Sequence, residues 1–120
     1  MAKNILIVDD EPDIMELAVR RLKSSGYGVL TVVDAEAAEK LLKTKIPDLI
    51  LLDILLPGMQ GDELCRQLKN DPKLKNIPVI LFTASTIRVP ERFQECQADD
   101  YVMKPFEPEE LLGKIKKLIG

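Results

Sequence analysis

Five short runs of nearly continuous apolar residues constrain this chain more than any other feature. They are Asn4 to Val8, Val29 to Val33, Leu49 to Leu52, Val79 to Phe82 and Tyr101 to Met103. A strand with one wet face alternates apolar and polar residues, and most of these runs do not. They read as strands covered on both faces, the environment of a parallel sheet. Amphipathic stretches with helix start and stop signals lie between them. Pro12 sits at a first-turn position after Asp10 and Glu11; Ile14, Leu17, Ala18 and Leu22 then make one apolar stripe, and Gly26 ends it. Asp34 can cap a second helix that turns Ala37, Ala38, Leu41 and Leu42 inward. Gly61 and Asp62 open a third, carrying Leu64 and Leu68. A fourth, over about residues 90–96, is short and weak. Pro108, Glu109 and Glu110 open the last, which carries Leu111, Leu112, Ile115, Leu118 and Ile119, with Lys114, Lys116 and Lys117 toward the end where the helix dipole favours cations.

Five strands alternating with five helices make a (βα)5 chain. Right-handed crossovers place helices on both faces of a twisted sheet. The units are too few for a closed eight-stranded barrel. The expected fold is therefore α/β, a doubly wound parallel sheet of flavodoxin-like topology with strand order 2-1-3-4-5. The 120 residues fit one domain, 1–120. Hydrophobic residues are 46% of the chain and aromatics only 4%, so the core must be aliphatic.

Composition also removes whole classes of chemistry. There is no histidine, which excludes a Ser-His-Asp triad, a Cys-His pair, a His-ligated zinc and a histidine phosphate carrier. The 17 Lys+Arg against 20 Asp+Glu give a net charge of −3, with no global attraction to nucleic acid or an anionic membrane. Cys65 and Cys96 lack metal spacing and are too few for a disulfide scaffold, so two thiols in a reduced compartment are expected. Met1-Ala2-Lys3 is followed by five uncharged residues before Asp9, which is no signal peptide. No apolar run approaches the ~20 residues of a membrane span. The expected location is the cytoplasm.

In a sheet of this order, ligands bind beyond the strand C-terminal ends, beside the switch point between strands 1 and 3. Strand 1 runs into Asp9 and Asp10, strand 3 into Asp53, strand 4 into Thr83 and strand 5 into Lys104. Alone, each has an ordinary reading: a helix cap, a turn former, a solvated lysine. Together they bring three carboxylates, a hydroxyl and an ammonium to one edge. The carboxylates repel one another, so either one keeps a proton or a cation neutralises them. An all-oxygen donor set favours a hard ion, Mg²⁺ or Mn²⁺. A carboxylate beside such an ion can act as a nucleophile and form an aspartyl phosphate. The metal, Lys104 and the Thr83 hydroxyl could neutralise the transferred group.

Five motifs in order carry a family resemblance: Ile5-Leu6-Ile7-Val8-Asp9-Asp10-Glu11-Pro12, Pro47-Asp48-Leu49-Ile50-Leu51-Leu52-Asp53, Leu56-Pro57-Gly58-Met59-Gln60-Gly61, Pro78-Val79-Ile80-Leu81-Phe82-Thr83-Ala84 and Ala98-Asp99-Asp100-Tyr101-Val102-Met103-Lys104-Pro105-Phe106. Over essentially its whole length the chain resembles the receiver domain of two-component response regulators. The resemblance implies that Asp53 accepts a phosphoryl group from a phosphohistidine of a sensor histidine kinase or a histidine phosphotransfer protein. It makes Asp10 a direct Mg²⁺ ligand, Asp9 its partner acting largely through water, and the Leu55 backbone carbonyl a further ligand beside Asp53. It assigns Thr83 and Lys104 to the phosphoryl group and Tyr101 to an aromatic switch. The face of the fourth helix, fifth strand and fifth helix would then change shape to control an output, and two copies could pair through it. The resemblance implies a signalling domain, not an enzyme, catalysing only its own phosphoryl transfer and slow dephosphorylation. It also makes the Lys104–Pro105 bond a candidate cis peptide.

Some positions depart from the family pattern. Gln97 stands where glycine is usual, so the fourth helix is expected to lack its left-handed cap. The segment from Thr83 to Lys104 is about one residue short of the usual and contains Pro90. Leu55 and Ser85 hold the two positions that tune dephosphorylation; an apolar Leu55 cannot orient the attacking water, which implies a longer-lived phosphate. Competing readings fit less well. A flavodoxin-type protein needs a hydroxyl- and glycine-rich loop where this chain has Asp9-Asp10-Glu11-Pro12-Asp13. A haloacid-dehalogenase-like phosphatase uses an Asp-x-Asp arrangement in a larger chain. Degenerate receivers that act without phosphorylation typically lose the acceptor, the acid pair or the lysine, and none is lost here.

Overall fold

A computed structural model describes residues 3–11, 13, 15–54, 56, 59–83, 96–103 and 107–120, with the backbone alone at Thr83. Strands β1 (Asn4–Val8), β2 (Gly28–Val32), β3 (Leu49–Asp53), β4 (Val79–Thr83) and β5 (Asp100–Met103) form one sheet in the order β2-β1-β3-β4-β5. Every neighbouring pair is parallel, as the sequence predicts. Among the described residues the helices are α1 (Glu16–Ser24), α2 (Ala35–Leu42), α3 (Gly61–Lys69) and a C-terminal helix (Pro108–Ile119). The predicted fourth helix lies outside the described residues except for Cys96.

The apolar runs are sorted by the two-residue period of a strand. Leu6, Val8, Ile50, Leu52, Val79 and Leu81 point to one side, where Ala35, Ala38 and Leu42 of α2 and Leu64, Cys65 and Leu68 of α3 cover them. Ile5, Ile7, Leu49, Leu51, Ile80, Phe82 and Val102 point to the other, under Ala18 and Leu22 of α1 and Leu111, Leu112 and Ile115 of the C-terminal helix. Both faces of β1, β3 and β4 are thus dry, which is why their sequences do not alternate. β2 differs. It is an edge strand with no fully buried residue, it begins one residue earlier than expected, and Val33 beyond its end is half exposed.

Two helix signals act as expected. Asp34 Oδ1 accepts a hydrogen bond from Ala37 N at 2.7 Å and caps α2. Gly26, at φ 97°, closes α1: Gly26 N donates to Lys23 O and Tyr27 N to Leu22 O, while the Leu22 and Tyr27 side chains share one cluster. The start of α1 needs correction. The helix begins at Glu16, and Pro12 and Ile14 lie outside the described residues. Its buried stripe is Met15, Ala18 and Leu22, with Val19 partly buried against it. Leu17, expected inward, is 66% exposed. Two residues on from Met15 is about 200° around a helix, so Leu17 faces away from the core.

Candidate functional site: an acidic cluster at the ends of β1 and β3

Parallel pairing decides what meets at the sheet edge. Val8 lies beside Leu52 of β3 on one side and Val32 of β2 on the other. The residues that follow Val8 and Leu52 therefore emerge together, and they are aspartates. Asp9, Asp10 and Asp53 each place a carboxylate oxygen within 4.8 Å of the others. Asp9 is 2% exposed and Asp53 5%, while Asp10 stands in solvent at the rim. Two carboxylates are thus sunk in the sheet edge, with a third beside the opening.

The chain around them is pinned. Asp9 N donates to Val32 O at 3.0 Å, and Asp9 Oδ1 accepts from Glu11 N at 3.0 Å, which fixes the turn leaving β1. Behind Asp53 the chain folds back on itself. Gly61 N donates to Ile54 O at 2.7 Å, and a Cβ at Gly61 would lie 1.8 Å from the Asp53 carbonyl oxygen. Only glycine lets α3 begin so close to the end of β3. The sequence reading used Gly61 as a helix opener and missed this contact. The available signal was the shortness of the link, which has to reverse direction between residues 53 and 61.

Of the other candidates, the structure describes the Thr83 backbone and Tyr101. Asp53 pairs with Phe82, so Thr83 is the next backbone position along β4, and it pairs in turn with Met103, the last residue of β5. Lys104 follows Met103 and lies outside the described residues, as do Leu55, Ser85 and Pro105. Tyr101 is half-buried and packs against the cluster on the α2 and α3 side of the sheet. Its N donates to Asp100 Oδ1 at 2.8 Å, and the same oxygen accepts from Lys114 Nζ at 3.0 Å, tying β5 to the C-terminal helix.

The donor set fits a hard divalent cation. Close carboxylates in a site this dry repel strongly. They offer oxygen only, with no imidazole or thiolate among the three, which suits Mg²⁺. A three-carboxylate cluster at the switch point of a 2-1-3-4-5 sheet is the arrangement the receiver resemblance implies, and comparison with known proteins bears out the resemblance itself. A family model for the response regulator receiver domain matches residues 5–116. The chain belongs to that family.

This receiver is 40% identical over 124 residues to the alkaline phosphatase synthesis transcriptional regulatory protein PhoP of Bacillus subtilis, an alignment covering 99% of this chain and 49% of that protein. It spans about half the length of the curated relatives it matches. Among solved structures it is similar to a response regulator of Chloroflexus aurantiacus, with TM-score 0.94, 33% identity, and 99% and 98% of the two chains covered. It is also similar to the receiver domain of the sensor histidine kinase PA1611 of Pseudomonas aeruginosa, with TM-score 0.89, 29% identity, and 100% and 99% covered. That structure has a magnesium ion coordinated in its active-site cleft. Among the described residues of the receiver, no helix is long and apolar enough to cross a membrane.

Proposed function

We propose that residues 1–120 form one receiver domain in which Asp53 takes a phosphoryl group from a phosphohistidine. The observation that carries this reading is the convergence of Asp9, Asp10 and Asp53 within 4.8 Å in a chain of the receiver family. An Asp53 carboxylate oxygen forms a bond to phosphorus as the P–N bond of the donor breaks. The imidazole nitrogen leaves with the electron pair and takes up a proton. Mg²⁺, or Mn²⁺ as the alternative ion, would be held by Asp9, Asp10, Asp53 and the Leu55 backbone carbonyl, and supplies positive charge to the transferring group. Asp9, fixed by Glu11 N, keeps its carboxylate aimed into the cluster. Thr83 donates its hydroxyl to one phosphoryl oxygen and Lys104 pairs with another.

The 120 residues contain no histidine, so the donor histidine lies outside them, on a sensor histidine kinase or a histidine phosphotransfer protein. Phosphoryl at Asp53 draws Thr83 inward, and Tyr101 fills the space it leaves. The face that includes β5 and the C-terminal helix then changes for its partners, a second copy of this chain among them. Phosphate stabilises whichever conformer gives it more hydrogen bonds and charge. Catalysis is limited to the domain's own phosphoryl transfer and slow hydrolysis. The setting is the cytoplasm, and the output belongs to a further domain or a partner protein.

Acetyl phosphate with Mg²⁺ tests this directly: its P–O bond breaks and acetate leaves. Intact-mass measurement should show one phosphoryl adduct on the unmodified protein, and none on Asp53→Ala or without divalent cation. If neither acetyl phosphate nor a cognate kinase gives an adduct, the receiver-shaped interaction module that works without phosphorylation is the better reading.

A further inference from the structure

The chain has only two cysteines, 31 positions apart, and the fold brings them together. Cys65 lies on the inner face of α3 and Cys96 just ahead of β5, and both are 0% exposed. Cys65 Sγ donates to the Cys96 carbonyl oxygen at 3.4 Å, which sets the Cys65 thiol against Cys96, close enough for the two side chains to perturb each other. No disulfide joins them. Two sulfurs are half of the tetrahedral set that zinc takes, and among the described residues only the aspartate cluster gathers three potential metal ligands. A metal centre is therefore a poor use of the pair.

We propose that Cys65 and Cys96 are a dithiol modification site, which peroxide closes into an intramolecular disulfide joining α3 to the chain that enters β5. The two thiols have different roles. Pairing with the Cys65 side chain, helped by the Ala98 backbone N–H and opposed by burial and nearby Asp62, lowers the Cys96 thiol, so Cys96 is the readier thiolate of the two. The same pairing and burial raise Cys65, which stays a thiol beside Lys69 and Asp99. Cys96 thiolate attacks one oxygen of hydrogen peroxide, giving the sulfenic acid and hydroxide. The Cys65 thiol then attacks the Cys96 sulfur; the S–S bond forms, and the sulfenic hydroxyl leaves with the thiol proton as water. Because both sulfurs are covered, peroxide gains access through local opening, and the reaction is slow compared with that of an exposed thiol. The sheet itself need not rearrange, since Cys65 Sγ already lies against Cys96. The bond would tie α3 to the strand that carries Tyr101. It forms or fails whether or not Asp53 takes a phosphoryl group.

The experiment uses the pre-reduced full chain, hydrogen peroxide and non-reducing peptide mapping. The expected result is a mass lower by two hydrogens, a cross-linked peptide pair containing Cys65 and Cys96, and full reversal by dithiothreitol. Cys65→Ser and Cys96→Ser should each abolish the loss of two hydrogens. The peptide map of the unmodified protein decides the matter even if a variant folds poorly. Two thiols that remain alkylatable after peroxide treatment, a sulfinic acid on either cysteine in place of the cross-link, or a disulfide only between chains would overturn the proposal.

Discussion

Gln97 is the one non-glycine residue with positive φ among those described, at 64°. The sequence implies that a glutamine here deprives the preceding turn of its left-handed cap. The chain takes the left-handed conformation regardless, with Gln97 exposed. A side chain in that region costs about 1–2 kcal/mol, and glycine adds back about 0.5–1 kcal/mol of unfolded-state entropy. Gln97→Gly should therefore raise stability by about 0.5–1 kcal/mol, read as a higher urea midpoint at unchanged slope. A lower midpoint would mean that the glutamine side chain makes a contact worth more than the strain. Gly61 answers to the opposite logic. Its φ is ordinary, but a methyl group would meet backbone, which cannot swing aside. Gly61→Ala should cost about 2–3 kcal/mol and reduce acetyl-phosphate labelling of Asp53, because the displaced atom belongs to Asp53 itself. Normal labelling and an unchanged urea midpoint would refute this.

At the scale of elements, the last turn of α3 is fastened to the sheet by one lysine. Lys69 Nζ reaches Asp99 Oδ2 at 2.8 Å and Ile77 O at 2.9 Å, and its side chain is only 10% exposed. Asp99 Oδ2 also accepts from Val79 N at 2.8 Å, holding the start of β4. The two partners should not be equivalent. Asp99→Ala leaves a nearly buried ammonium without its counter-charge and a strand N–H without its acceptor, and should lower stability by about 2–3 kcal/mol. Lys69→Met leaves Asp99 on Val79 N, keeps the apolar stem, and should cost under about 1 kcal/mol. Equal losses in chemical denaturation would disprove the asymmetry. Such long-range pairs are invisible to periodicity, which sees only neighbours along the chain. Periodicity worked where burial is two-sided, so β1, β3 and β4 were legible as continuous apolar runs. It failed at β2, whose apolar run sits on an edge, and at Leu17, whose spacing of three from Ile14 and five from Leu22 reads as one stripe while the buried stripe is Met15, Ala18 and Leu22.

At the scale of the whole molecule, strand order made the site readable. Nothing local marks Asp9 or Asp53 as more than a turn aspartate; only the adjacency of β1 and β3 joins residues 44 positions apart. What escaped the sequence was depth, because the near-complete burial of Asp9 and Asp53 depends on three-dimensional packing that periodicity along the chain does not report. Depth has a consequence for the fold. Part of the net charge of −3 is concentrated in one cluster, whose repulsion opposes folding until a cation enters. An ion that binds the native state alone stabilises it by RT ln(1 + [L]/Kd), about 2.7 kcal/mol at a hundredfold excess over Kd. For a chain of this size that is on the order of 10 °C in Tm. Melts in chelator and in rising Mg²⁺ should therefore separate steadily for the unmodified protein. Asp53→Asn removes one of the three charges while keeping the side-chain shape. It should melt above the unmodified protein in chelator, because the repulsion is relieved, and gain less from Mg²⁺, because a ligand is weakened. The two Tm curves should cross or converge as Mg²⁺ rises. If Mg²⁺ leaves the unmodified protein unmoved, or if both proteins gain equally, the cluster does not hold the ion through Asp53, and the repulsion inferred from 4.8 Å spacing does not limit the stability of the fold.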